Sequence, residues 1–400
     1  MVFAMLLAAA PLPTQAQAKE VVNPSYLVAG QKFVATRGEG SLSYAEIMAR
    51  ADQYATTRPY DLPEEEWANY LAYKMFTFSD ERLDLKTWNL SHENLMKYIL
   101  EALKVTGWWP GYEDIKTIEN SRGMVSEARM VHRLDRAEEM KAEEKRVLAL
   151  VDGVSSTVAK ALVIHDFVCK ETQYVTNAER TIFNVALNKT AQCEGYSRLY
   201  AYYMNLAGIP CEFISGIAGG LHGWNRVYLN DQWYLVDTTW DDLGGKANGK
   251  DYGAYHSYFL RSGDQFNGHT VEADDQARCS DASYANAFWT KADSIYSACG
   301  DYIVYPDKLS GGNILRAHRL GTDAITEPGK IINGNLTDWR GDNSQPVEKN
   351  YCTPVAYGGK IYYNTPTTVY SWNPNGGTMT NRDTVLTVTD SSNPARIPTN

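Results

Sequence analysis

His222-Gly-Trp-Asn-Arg-Val-Tyr-Leu229, Asn230-Asp231 and Gln232-Trp-Tyr-Leu-Val-Asp237 are the residues on which the fold turns. Two alternating runs flank the Asn-Asp pair, the pattern of antiparallel strands joined by a two-residue primed turn. In that register Leu229 pairs with Gln232, Trp224 faces Asp237 and His222 faces Thr239. His222 and Asp237 then lie diagonally on one face, about 7–8 Å apart at the backbone and within side-chain reach. A carboxylate on one imidazole nitrogen fixes the tautomer and stabilises the imidazolium.

Upstream, Cys193 opens a helix that carries Leu199, Tyr203 and Leu206 and stops at Gly208 and Pro210. At a helix N-terminus the macrodipole favours a thiolate, and a nearby imidazolium favours it further. Cys193, His222 and Asp237 therefore form a candidate catalytic set. The thiolate attacks an acyl carbon, His222 moves the proton, and the Cys193 backbone N–H can bind the oxyanion. Gln192, Asn184 and Tyr174 are candidates for the second oxyanion donor. Trp224, Asn225 and Trp240 are candidates for lining a substrate groove, with packing at least as good an account of aromatics beside strands.

The same residues carry a resemblance. Phe183-Asn184, Ala191-Gln-Cys193-Glu-Gly-Tyr-Ser197, Gly208-Ile-Pro-Cys-Glu212, His222-Gly-Trp-Asn225 and Trp233-Tyr-Leu-Val-Asp237-Thr-Thr-Trp-Asp241 resemble the transglutaminase-like superfamily. Within it they look most like the bacterial secreted, kyphoscoliosis-peptidase-like branch. Ile164-His165-Asp166 and Tyr174 upstream, and Tyr258-Phe259-Leu260 and His269 downstream, resemble the ends of that family's segment, from about Glu143 to His269. The resemblance implies a papain-like α+β core, a Cys193–His222–Asp237 triad and a peptide or protein substrate, a cell-surface or cell-wall one included. Gly223 departs from the family's usual Ala. Hydrolysis by a peptidase or amidase is favoured; protein cross-linking and a catalytically idle surface-binding scaffold remain alternatives.

Composition narrows the partners. A net charge of −10 over 400 residues supplies no basic surface for a nucleic acid. With 44% hydrophobic and 22% charged residues, the chain can bury a core. The apolar run Val2–Leu12, followed by Ala16-Gln17-Ala18, reads as a signal peptide cleaved after Ala18, and so as a secreted or cell-surface protein. No stretch has the length of a transmembrane span. The six cysteines show no CxxC spacing and the histidines are scattered, so neither a metal nor a cofactor is expected. Cys279 and Cys299 could close a surface loop. Asp241 and Asp242 alone are weak evidence for Ca²⁺.

Outside the core, residues 19–153 read as helical. Ser43 to Glu46 forms a capping box opening a helix to about Ala55. Pro63 with three glutamates starts a second helix, Ser91 caps a third that ends near Gly107, and a long charged helix spans about Ser126 to Leu150. Ser156 to Lys170 is amphipathic, with His165 on its apolar face, where a locally bonded core histidine is the natural reading. Cys211–Ile217 adds a strand to the hairpin, and Gly244–Gly253 is a glycine-rich loop. The expected architecture is α+β: signal peptide (1–18), helical region (19–153), catalytic core (154–300) and a small all-β module (301–400).

Overall fold

The computed structural model describes residues 19–20, 44–77, 79–105, 112–132, 136–178, 182–242, 254–292, 294–307, 314–333, 354–364, 368–374 and 382–387. Residues 1–18, read above as a signal peptide, Ser43, Gly107, the 244–253 loop and Cys352 lie outside them.

Helices α1 (Tyr44–Ala49), α2 (Ala51–Thr56), α3 (Trp67–Phe76) and α4 (His92–Val105) occupy the N-terminal region. The expected first helix is thus divided at Arg50. Trp67, Tyr70, Leu71 and Met75 of α3 are buried, as the apolar spacing requires. Ser91 Oγ accepts from Asn94 N at 3.3 Å, the capping contact expected of it.

The charged helix begins later than expected. Residues Val125–His132 form strand β4, paired with β3 (Tyr112–Glu119), and the helix α5 is only Ala137–Leu150. With β1 (Lys19–Glu20) and β2 (Arg82–Asp84) they make a sheet of order β1-β3-β4-β2. The signal was period two: Val125, Ala128 and Met130 are buried while Arg129 is exposed, a pattern broken by one extra residue at a bulge. Charge density masked it.

The core begins at α6 (Thr157–Glu171), capped by Ser156 Oγ, which accepts from Ala159 N at 3.3 Å. Short parallel strands β5 (Gln173–Tyr174) and β6 (Thr190–Ala191) lead into α7 (Cys193–Leu206). Helix α7 packs on an antiparallel sheet of β7 (Cys211–Ile217), β8 (Leu221–Leu229) and β9 (Gln232–Val236). The predicted register holds: Leu229 pairs with Gln232 and Asn225 with Val236. Asn230 and Asp231 both have positive φ, 50° and 63°, the primed turn. A short helix α8 (Ala273–Arg278) follows.

Among the described residues, two four-stranded antiparallel sheets follow. The first comprises β10 (Ser297–Cys299), β11 (Tyr302–Asp307), β12 (Ile314–Arg319) and β13 (Lys330–Asn333). The second comprises β14 (Val355–Tyr357), β15 (Lys360–Asn364), β16 (Thr368–Trp372) and β17 (Arg382–Thr387). The first sheet is sandwiched. Ala298, Ile303 and Tyr305 join the main core, whereas Cys299, Val304, Leu315 and Ala317 pack on Ile361, Tyr363 and Trp372 of the second sheet. The expected β module is therefore continuous with the core on one face.

Cys169, Cys193, Cys211, Cys279 and Cys299 are all free. The suggested Cys279–Cys299 pairing is absent because the two thiols sit in different apolar clusters, Cys279 with Phe266 and Trp224, Cys299 with Val304 and Trp372. Among the described residues no helix is long and apolar enough to cross a membrane.

Candidate active site

Cys193 is the first residue of α7, half-buried, with Gln192 as an extended N-cap. By position its N–H has no acceptor within the helix. The helix is fastened to the strand that carries His222. Ser197 Oγ lies 2.9 Å from Cys193 O and 2.8 Å from Gly223 O, and the Asn225 amide donates to Ser197 O at 2.8 Å and Glu212 O at 3.2 Å. These contacts fix the thiol's helix against the histidine's strand.

His222 Nε2 donates to Asp237 Oδ2 at 2.7 Å, closing the diagonal that the hairpin register set up. With Nε2 occupied, Nδ1 is the nitrogen left for Cys193. Burial opposes a charge on this ring, but hydrogen bonds to Asp237 and Cys193 outweigh it and raise the His222 pKa to about 9. Asp237 has left the ladder: its N–H donates to Tyr258 O at 3.0 Å, and its Oδ1 accepts from Thr239 N at 2.8 Å and Trp240 N at 3.1 Å. Burial pushes its carboxyl up, yet the bonds from His222 and His269 hold it below the usual carboxylate range.

Gly223 has a steric reason. A Cβ there would stand 2.7 Å from Phe213 Cε2, so the ring occupies the space an alanine would need.

The other candidates divide. Tyr174 is 45% exposed, and burial of its hydroxyl together with the nearby Cys193 raises its pKa. Gln192 turns its amide to Ala178 O at 3.3 Å. Asn184 braces the turn before Cys193, donating to Thr190 O at 2.8 Å and accepting from Asn188 at 2.8 Å. Trp224 is buried with its ring 4.9 Å from His269, and Asn225 is wholly buried, so both serve packing and helix docking. Asp241 and Asp242 are turned inward, to His165 at 3.2 Å and Tyr196 Oη at 2.6 Å. His165 is the buried, bonded histidine expected. What the sequence reading passed over was the bond of His269 to Asp237. An isolated histidine 32 residues downstream gives no periodic signal of such a contact.

Residues 144–238 match the family model described as transglutaminase-like superfamily, a span that includes Cys193, His222 and Asp237. Over these residues the chain carries a transglutaminase-like core. The transglutaminase-like stretch is similar to the kyphoscoliosis peptidases of mouse and human. It is 26% identical to the mouse protein over 111 residues, covering 23% of this chain and 17% of that protein. The human comparison gives 26% over 117 residues, with 24% and 18% coverage. The match thus spans under a fifth of those relatives' length. The crystal structure of the periplasmic domain of TgpA from Pseudomonas aeruginosa overlays 31% of this chain and 60% of its own at 14% identity, with a TM-score of 0.22.

Proposed function

We propose that this protein hydrolyses peptide-type amides through a Cys193 thioester. The observation that carries the proposal is the Asp237–His222 bond of 2.7 Å beside a cysteine at a helix start. In the first step Cys193 passes its proton to His222 and its Sγ bonds to the carbonyl carbon, while the C=O π pair moves to the oxygen, facing the Cys193 N–H. Collapse breaks the C–N bond as His222 gives its proton to the departing amine. Water, deprotonated by His222, then attacks the thioester and releases the acid and the free thiol.

Hydrolysis is favoured because the relatives with the matching stretch are named peptidases. The rim supports a peptide rather than a small amide as substrate. Tyr174 lies near the thiol, and Ile217 and Leu221 pair at the hairpin tip beside His222, each about half exposed. Such apolar surface near the reacting groups suits side chains flanking the scissile bond. Export, proposed from the leader-like residues 1–18, would place that substrate outside the cytoplasm.

The test is incubation of the protein and its Cys193→Ala variant with unfolded protein substrates, with and without a lysine-type amine, read by mass spectrometry. New termini that vanish in the variant support hydrolysis. Amine adducts without cleavage would make the enzyme a cross-linking transglutaminase. No product, with slow iodoacetamide labelling of Cys193, would favour the binding scaffold.

A further inference from the structure

Asp237 is shared by two histidines. His222 reaches Oδ2 at 2.7 Å from one side and His269 Nε2 reaches the same oxygen at 2.9 Å from the other. A buried carboxylate oxygen offers two lone-pair directions, and here both are taken.

The segment that delivers His269 is built for close approach. Gly268 has φ +81°, and a Cβ on it would stand 2.8 Å from the Trp240 ring. Thr270 N donates to Ile217 O at 2.8 Å, pinning the segment to the hairpin tip. The ring's other nitrogen, Nδ1, lies 3.2 Å from Asn267 O. The His269 side chain is wholly buried among Phe266, Trp240, Trp224 and Tyr258, whose ring centroids lie 4.1, 4.4, 4.9 and 5.3 Å away. Water is thereby kept from Oδ2.

We propose that His269 is a positioning residue: it holds the Asp237 carboxylate in the one orientation that directs Oδ2 at His222. This rests on the hydrolase reading above and deepens it. Thr239 and Trp240 anchor only Oδ1, leaving rotation about the Cβ–Cγ bond to be limited from the other oxygen. His269 supplies that limit. A loose carboxylate would let the imidazole turn away from the thiol, and misplacement on the ångström scale costs rate steeply.

The test compares His269→Leu with His269→Gln, whose amide can place a donor near the Nε2 position. Two readouts are used: steady-state kinetics, and NMR titration of the ¹³C-labelled Asp237 carboxyl, which needs no turnover. In His269→Leu, kcat should fall about 10- to 100-fold with little change in KM. The Asp237 carboxyl should titrate at higher pH, and Gln should restore both in part. Unchanged carboxyl titration and kcat in a folded Leu variant would overturn the proposal. So would equal losses in Leu and Gln tracking a lowered Tm, the mark of mere packing. If wild type cleaves nothing, the hydrolase reading fails, while the carboxyl titration still decides whether His269 holds Asp237.

Discussion

The molecule contains the same chemical triplet twice. At the open site a carboxylate, Asp237, lies between His222 and His269, with Cys193 alongside. Deep in the core Asp166 lies between His165, 2.9 Å away, and His256, 2.8 Å away, with Cys169 Sγ 3.8 Å from His165 Nε2. Residue types and distances barely separate them. What differs is solvent and direction. Cys169 is buried and points its thiol at Thr238 O, 3.3 Å away. Burial, only partly offset by His165, pushes that thiol up to about 12. Cys193 sits half-exposed at a helix start instead. A Cys–His–carboxylate set is therefore no evidence of chemistry until the thiol has both a route to substrate and a means of losing its proton.

The sealed cluster does structural work. Burial opposes a charge on His165, but Cys169 and the bonds to Asp166 and Asp241 hold its pKa well above the ordinary value. Burial likewise pushes Asp166 up, and His256 and His165 more than reverse it. Asp241 takes Tyr258 N at 3.0 Å, and its own N–H donates to Asp237 O at 3.2 Å. The inner cluster thereby braces the turn that presents the outer carboxylate.

The contrast breaks most sharply on the two thiols. Cys193→Ala should lower amide hydrolysis about 10³-fold or more, whereas Cys169→Ala should leave kcat within about twofold. Equal losses from both would erase the distinction. Iodoacetamide mapping at neutral pH should mark Cys193 and spare Cys169 until the protein unfolds.

Next in size is the pair of carboxylates. Asp166→Asn strands two buried histidines and should cost about 3–5 kcal/mol, read by denaturant titration. Linkage gives the sign: both carboxyls are lowered on folding, so their stabilisation is full above the unfolded value near 3.8 and fades as pH falls through the folded values. His222, raised to about 9, contributes fully below 6.5 and loses its share as pH rises through 9. Asp166→Asn should flatten the acid limb of the Tm–pH curve and, by removing a bond that holds His165 charged, weaken the alkaline limb as well, leaving the share of His222 in place. An unaltered acid limb would remove the inner cluster from the stability account.

The smallest effect is steric and confined to the open site. Gly223→Ala should cost about 1–3 kcal/mol by crowding Phe213. A Phe213→Leu companion should recover part of that in a double-mutant cycle. Additivity would show that the ring was not the obstacle.

The hairpin made much of this readable in advance. A two-residue turn fixes register, and register fixes which side chains are diagonal neighbours, so the His222–Asp237 contact followed from alternation alone. The start of α7 at Cys193 was equally legible, because Gly208 and Pro210 bounded the helix on its far side. Contacts made by isolated residues across long loops were not. His269 reaches Asp237, and His256 reaches Asp166 across 90 positions, without any local pattern. Strand β4 was hidden for another reason: Glu127 and Arg129, on its more exposed positions, look like the charged face of the helix that follows.

One backbone amide has a wider consequence. Tyr296 N, just ahead of β10, donates to Asp166 Oδ2 at 2.7 Å, and the strand after it shares the main core. Severing the chain before that amide would uncover a buried anion and an apolar sheet face together. The packed core is therefore longer than the matched residues 144–238. A fragment ended before Tyr296 would carry Cys193, His222 and Asp237 but lose both the amide on Asp166 and the sheet that closes the core.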